Sequence, residues 1–212
     1  IDDLNFDGYK IIQDPEKFCF GMDSVLLCDF ARDKIKKDDI VIDFGCGNGI
    51  ICLLLAIKTK LKKIIGIEIQ KDIVDLAQRN VLINNLESKI KIINGDIKNI
   101  SDILGELNKI EKIYKKIDIV ITNPPYLKNS LVSHNDSKAI ARHEIFCTVE
   151  DIIINAYKIL KDKGKFIMVH RAERLSDIFY LMRKYKLEPK ILRIVHSFLE
   201  RQSQIILIEG IK

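Results

Sequence analysis

The chain is predicted to be an α/β protein built on a seven-stranded, mostly parallel sheet whose last strand runs antiparallel. Three observations carry this expectation. Short runs rich in Ile and Val alternate with longer amphipathic stretches, the pattern of βα units. The runs are nearly continuous in apolar residues, as strands buried on both faces should be. The final two runs follow each other across residues 197–203 with no helical stretch between them, which favours an antiparallel pairing there.

Each element follows from its residues. A helix is expected over Asp23–Ala31, entered through Phe18 and Phe20, with Asp23 as its N-cap. A strand over Asp39–Phe44 leads into a helix over Gly49–Ile57, and a strand over Lys63–Ile69 into one over Lys71–Asn84. In the latter, Ile73, Leu76, Ala77 and Val81 fall on one face. Strands follow at Ile90–Asn94 and Ile117–Thr122, separated by a helix over Ile100–Ile113. A polar stretch, Leu127–Ala141, precedes a helix over Thr148–Leu160 and a strand over Lys165–His170. A helix over Ala172–Tyr185 and strands over Lys190–His196 and Gln204–Gly210 complete the chain. No internal repeat or low-complexity linker interrupts it. One domain over residues 1–212 is expected, with residues 1–36 as a lead-in and helix and residues 127–143 as a loop.

Composition narrows the class. At 212 residues, 47% hydrophobic and 31% charged, the chain has a globular balance with ample material for a core. Its longest apolar run, Ile50–Ile57, is far short of the roughly 20 residues a membrane span needs. No charged-then-apolar leader opens the chain, so no membrane association is expected. The cysteines (Cys19, Cys28, Cys46, Cys52 and Cys147) lack ligand spacing. That suggests reduced thiols, a cytoplasmic location and no metal site, and the four histidines form no metal pattern either.

The net charge of +5 is unevenly placed: residues 155–201 hold 12 Lys/Arg against 5 Asp/Glu. A solvated lysine-rich surface and a basic face for a polyanion both fit this. On the second reading Arg174, Arg183, Lys184 and Lys186 widen a nucleic-acid face.

The chemistry concentrates at strand ends. Asp43-Phe44-Gly45-Cys46-Gly47-Asn48-Gly49 follows the first strong strand, and three of the ten glycines lie within it. Glycines there permit tight turns and close backbone approach to a ligand. The Gly-x-Gly-x-Gly spacing differs from the dinucleotide Gly-x-Gly-x-x-Gly. An acid beside the loop suits a cationic amino-acid tail better than a pyrophosphate. Glu68 ends the next strand, 19 residues past Gly49, where a carboxylate can accept from both ribose hydroxyls of an adenosine. Asp96 closes the third strand after Asn94-Gly95, placed to accept from an adenine amino group, with Gly95 letting the backbone come close.

Asn123-Pro124-Pro125-Tyr126 ends the fourth strand. The Asn123 side-chain oxygen and the Pro124 carbonyl can each accept one N–H of a planar amino group. The Tyr126 ring can lie against the flat system bearing it, and the prolines stiffen the cluster and remove backbone donors.

This ordered set resembles the class I S-adenosylmethionine-dependent methyltransferases, with a Rossmann-like sheet of seven strands. The resemblance implies S-adenosyl-L-methionine as cofactor. It would be held by Asp43, Gly45, Gly47 and Gly49 at its methionine part, by Glu68 and Ile69 at the ribose, and by Asp96 and Ile97 at the adenine. Phe20, Asp23 and Asn123 would complete that site. The flanks Phe18-Cys19-Phe20-Gly21-Met22-Asp23-Ser24-Val25-Leu26-Leu27, Ala141-Arg142-His143-Glu144-Ile145 and His170-Arg171-Ala172-Glu173-Arg174-Leu175 narrow it further, as do Leu187-Glu188-Pro189-Lys190 and Glu209-Gly210-Ile211-Lys212. They are similar to the Gram-positive-type branch of the bacterial valine-tRNA adenine-N6 methyltransferases, over nearly the whole chain.

That similarity implies tRNA as partner, with no obligatory protein partner, and methylation of the adenosine 3′ of the anticodon. Asn123, Pro124 and Tyr126 would be catalytic. Pro125, Tyr126, Arg142, His143 and Arg171 would contact substrate. Two readings stay open beside it. One is glutamine methylation of a release factor, which shares the Asn-Pro-Pro-Tyr. The other is a non-catalytic RNA-binding module on the same fold. Residues 127–141 serve equally as a loop over the base or as an ordinary connection, and Arg142 serves equally as a phosphate contact or as a partner of Glu144.

Overall fold

The computed structural model describes residues 1–4, 6–13, 19–111, 117–126, 147–198, 200 and 202–212. A two-residue ladder, β1 (Asp2–Asp3) with β2 (Lys10–Ile11), precedes α1 (Met22–Arg32). The repeat then runs β3 (Ile40–Phe44), α2 (Ile50–Lys58), β4 (Lys63–Glu68), α3 (Lys71–Ile83), β5 (Ile90–Asn94). After a 3-10 turn at Ile97–Asn99 come α4 (Ile100–Glu111) and β6 (Ile117–Thr122). The second half holds α5 (Val149–Ile159), β7 (Leu160–Arg171), a 3-10 turn at Ala172–Arg174, α6 (Leu175–Lys184), β8 (Glu188–Val195) and β9 (Ile205–Ile211).

The seven-stranded sheet has the order β5-β4-β3-β6-β7-β9-β8. Every pairing from β5 across to β7 is parallel, whereas β9 pairs antiparallel with both β7 and β8. The expected fold class holds, with one refinement. The antiparallel strand lies inside the sheet, and β8, which precedes it in the chain, forms the edge.

Both faces of the sheet are covered. Leu27, Phe30, Ile51, Leu53, Val74 and Ala77 belong to a core on the α1–α2–α3 side, together with Ile11 from β2. Ile100, Leu104, Ile153, Phe166, Ile178 and Met182 belong to one on the α4–α5–α6 side. Strand β3 is buried along its whole length, which explains its apolar sequence and leaves Asp43 as the exception requiring a reason.

Some boundaries moved. Asp23 does not cap α1. Gly21 holds the N-cap position in extended conformation with no side-chain cap, and Asp23 lies in the first turn. Strand β7 begins at Leu160 rather than Lys165, because Ile117 pairs with Leu160 across an irregularity in the ladder. Its extra residues include Lys161-Asp162-Lys163-Gly164, which lie between the expected helix and the expected strand. The α5 start shows a complete capping box between Thr148 and Asp151.

Candidate active site

The strand order places the ends of β3, β4, β5 and β6 side by side at one edge of the sheet. The chain direction of growth reverses between β3 and β6, and such a switch point is where open α/β sheets bind ligands. Asp43, Glu68, Asn94-Gly95-Asp96 and Asn123 all sit at or just past those ends.

The glycine loop is pinned from below, the N–H groups of Gly45 and Cys46 both reaching the Ile67 carbonyl at 2.9 and 3.0 Å. Gly45, Gly47 and Gly49 have φ of 71°, 53° and 85°. Gly49 is the N-cap of α2, in a left-handed conformation that a side chain would strain. At the same helix start the Ile50 N–H is taken by Asn48 Oδ1 at 3.3 Å.

Asp43 is fully buried beneath this loop. The Cys52 thiol donates to its Oδ2 at 3.5 Å, and Oδ1 has no hydrogen-bond partner among the described residues. Burial, with the Glu68 carboxylate adding to it, pushes Asp43 up to about 7 despite the opposing Cys52 bond. A buried carboxylate with one oxygen unmatched fits a cationic tail above it. Asn48 Nδ2, in the same loop, is a second buried group without a partner among the described residues.

Glu68 is nearly buried, with its Oε2 accepting from Gly47 N–H at 3.1 Å and its Oε1 from Gln70 N–H at 2.9 Å. An ionised carboxylate has about four acceptor sites, so roughly two remain for ribose hydroxyls. The Asn94 amide donates to the carbonyls of Glu68 and Ile69 at 3.0 and 2.9 Å and fixes the end of β4. Ile69 beyond it is a large apolar side chain left 40% exposed. Asp96 accepts from the Lys98 backbone N–H at 2.9 Å and lies 3.7 Å from its ammonium. Exposed Ile69 with half-buried Ile97 thus offers apolar contact beside two carboxylates, which fits an adenosine. A Cβ at Gly95 would also lie 2.5 Å from Ile103 Cδ1 of α4, so the packing of α4 favours a small residue there as well.

At the end of β6, the Thr122 hydroxyl donates to the Phe44 carbonyl at 2.9 Å and ties the two strand ends together. The next residue, Asn123, has both ends of its amide engaged. Its Nδ2 donates to Ser24 Oγ at 3.0 Å, and its Oδ1 accepts from the Tyr126 hydroxyl at 2.9 Å. Pro124 is buried and Pro125 exposed.

Burial and the nearby Asp23 carboxylate push the Tyr126 phenol above its usual value, so it stays protonated. Its ring meets the His170 ring edge-on, with centroids 5.1 Å apart, and the Arg171 guanidinium lies 5.1 Å over it. His170 is itself buried and accepts the Arg171 backbone N–H on Nδ1 at 2.8 Å. Burial and then the Arg174 charge lower it to about 4, so it is neutral with its proton on Nε2.

The structure therefore brings together Asp23, Asn123, Tyr126 and Arg171, and it joins Asp43, Gly45, Gly47, Gly49 and Glu68 through one loop. Phe20 is half-buried, its backbone N–H held by the Gln13 side chain at 3.1 Å. Phe18, Arg142, His143 and the loop over residues 127–143 lie outside the described residues.

Three bases of the expected basic face are ion-paired. Arg174 pairs with Asp177 at 2.9 Å, Arg183 with Glu188 at 3.6 Å and Lys184 with Glu150 at 2.9 Å. Two of the three acids, Asp177 and Glu188, lie in the same segment, and Glu150 lies outside it. Ser24 and Asn48 are site residues the motifs did not single out. For Ser24 the sequence offers no distinct signal, since Asp23 beside it and Asp29 further along the helix are also polar.

Among the described residues no cluster of His, Cys, Asp and Glu could hold a metal, and no helix is long and apolar enough to cross a membrane. A family profile described as the methyltransferase small domain matches residues 19–185. A tRNA1(Val) (adenine(37)-N6)-methyltransferase of Porphyromonas gingivalis is 26% identical over 212 residues, covering 98% of this chain and 80% of that one. The Trichodesmium erythraeum protein of the same name is 26% identical over 178 residues, covering 82% and 69%. Among solved structures, an S-adenosylmethionine-dependent O-methyltransferase from Thermotoga maritima superposes with a TM-score of 0.60 at 17% identity, covering 92% of this chain and 66% of that one. A geranyl diphosphate C-methyltransferase from Streptomyces coelicolor, solved with S-adenosyl-L-homocysteine, gives 0.60 at 10% identity, covering 88% and 78%. These likenesses show a shared fold.

Proposed function

The chain belongs to the methyltransferase small domain family, and from that premise we propose that it methylates the exocyclic N6 amino group of an adenosine in tRNA, using S-adenosyl-L-methionine. The adenosine is the one 3′ of the anticodon of a valine tRNA, as in the names of its relatives. The observation that carries the reading is Asn123 at the switch point, an amide held at the end of β6 next to an aromatic ring.

The bound cofactor supplies an electrophilic methyl group. Asp43 and the glycine loop would hold its cationic tail, Glu68 its ribose, and Asp96 with Ile69 and Ile97 its adenine, while Phe20 and Asp23 would cover the methionine end. On the substrate side, Asn123 Oδ1 and the Pro124 carbonyl each accept one N–H of the adenine amino group. Two acceptors favour a pyramidal nitrogen and localise its lone pair, and orientation against the methyl contributes most of the remaining rate. The proton leaves after methyl transfer, so no strong general base is needed. Tyr126 stacks on the base, a contact worth roughly 1–3 kcal/mol. Extrusion of that base from an anticodon loop costs less than from a duplex.

On this reading residues 1–212 act as one methyltransferase domain with residues 1–36 covering the cofactor. Residues 127–143, including Arg142 and His143, reach over the base beside Pro125 and Arg171. The protein works in the cytoplasm without a metal or an obligatory protein partner, and it belongs with the Gram-positive-type branch of its family.

Incubation with labelled S-adenosylmethionine and unmodified total tRNA, followed by nucleoside mass spectrometry, tests the reading. N6-methyladenosine is expected, and label in protein alone would transfer the site to a glutamine substrate. Asn123→Ala is expected to abolish transfer while calorimetric S-adenosylhomocysteine affinity stays near normal. Substantial retained activity would remove Asn123 from the mechanism.

A further inference from the structure

Asn123 is useful only if its amide faces the right way, since oxygen and nitrogen at its end are chemically opposite. A strand-end asparagine can rotate about its terminal torsion over a broad range. The structure restricts it from two sides. Ser24, on α1 and buried, places its hydroxyl oxygen 3.0 Å from Asn123 Nδ2, across 99 residues of chain. Tyr126 places its hydroxyl 2.9 Å from Asn123 Oδ1. The Ser24 contact is inside the protein and has no reason to change when substrate arrives. The Tyr126 contact occupies the acceptor that the reading above gives to the adenine amino group.

We propose that Ser24 is a positioning residue that holds the Asn123 amide with Oδ1 toward the substrate, and that the Tyr126 hydroxyl stands in for the substrate's N–H until the base arrives. The second half rests on the reading of Asn123 as the amino-group acceptor. A hydroxyl can donate or accept; here the Ser24 oxygen accepts and the Tyr126 hydroxyl donates to Asn123, with the Asp23 carboxylate a second acceptor beside the same phenol. Together they hold the amide at both ends, and substrate entry exchanges an O–H donor for an N–H donor on Oδ1. Tyr126 then turns from its hydroxyl contact to a ring contact. Arg171 over the ring and His170 at its edge keep it beside the site as it does so.

The test uses the full chain. Ser24→Ala is expected to lower kcat roughly tenfold, the equivalent of one hydrogen bond lost in the transition state. S-adenosylhomocysteine affinity by calorimetry should stay at the wild-type value, and Ser24→Thr, which keeps the hydroxyl, should recover most of kcat. A readout without substrate accompanies these: in 15N-labelled protein the Asn123 side-chain protons should exchange with solvent at least about tenfold faster in Ser24→Ala. Unchanged exchange and unchanged kcat overturn the role of Ser24. Loss of cofactor affinity in parallel with kcat also overturns it, by assigning Ser24 to the cofactor side.

Tyr126→Phe keeps the ring and removes the competing donor, so its KM for tRNA should fall a few-fold, whereas Tyr126→Ala should raise it. A rise in both variants overturns the stand-in. If the wild-type enzyme labels glutamine and no adenosine, the adenine reading fails while the exchange measurement still decides Ser24.

Discussion

Asp43 shows how a single residue can tie binding to pH. Its carboxyl is buried beneath the glycine loop and sits at about 7 instead of the ordinary 3.8. A cation bound nearby favours the ionised form, so binding must drive a proton off wherever the free protein still holds one. S-adenosylhomocysteine affinity is therefore expected to rise with pH up to about 7 and level off above. Calorimetry at pH 6 in buffers of different ionisation enthalpy should report proton release. The sign for stability is opposite. A raised carboxyl favours the folded ligand-free protein fully below the unfolded value, and that contribution is lost as pH rises from 3.8 toward 7. Asp43 was legible as a site residue because its meaning lies in local order, an acid directly before a glycine loop. Its burial and its thiol partner were not, because Cys52 comes from the next helix. Ser24 was less legible still, its partner lying 99 residues away.

At the scale of elements, α3 does more than cover the sheet. Two asparagines, Asn80 on it and Asn84 at its C-cap, hold the backbone of the N-terminal segment as a neighbouring strand would. Asn84 takes Lys10 N–H at 2.9 Å and returns a bond to its carbonyl at 2.7 Å. Asn80 takes Ile12 N–H at 2.6 Å and returns one at 3.0 Å. Between them Ile11 enters the core fully buried. Asn80 also donates to the Asn48 carbonyl at 2.9 Å, so one side chain joins the N-terminal segment to the glycine loop. Asn80→Ala and Asn84→Ala are each expected to cost about 1 kcal/mol by urea denaturation, since each leaves partly buried backbone groups unpaired. Only Asn80→Ala should also weaken S-adenosylhomocysteine binding, and equal weakening in both would show that the loop contact is idle. Helical periodicity found the apolar face of α3 through Ile73, Leu76, Ala77 and Val81. It could not find these asparagines, whose partners are bare backbone about 70 residues earlier. Strands Ile90–Asn94 and Ile117–Thr122 were readable to the residue because buried parallel strands leave continuous apolar runs.

Across the whole molecule, the charge imbalance reads differently once the fold is known. Acids meet many of the C-terminal bases: Asp29 lies 3.2 Å from Arg193 and Asp118 contacts Lys161. Lys186 and Lys190 have no such ion pair among the described residues. RNA binding is therefore expected to have a shallow salt dependence, the slope of log K against log salt corresponding to a few phosphates at roughly 0.7 each. Charge removal at Lys186 or Lys190 should flatten it more than removal at Arg183, and filter binding across a salt series would measure this. Equal effects at all three would mean that the ion pairs open on binding. The βα alternation announced the sheet but not its order, since strand adjacency is settled by packing over the whole chain.

That order has a consequence for synthesis. Strand β9 is the seventh strand of the sheet to leave the ribosome, yet it lies between β7 and β8. Until it arrives, β7 ends the half-built sheet with its outer row of N–H and C=O groups open, and β8 has nothing to join. A nascent chain at that stage offers a sticky edge to any other strand. The insertion of β9 closes this hazard and brings β8 in with it. The later the final strand is translated, the longer the chain depends on chaperones or on its own charged residues to remain unpaired.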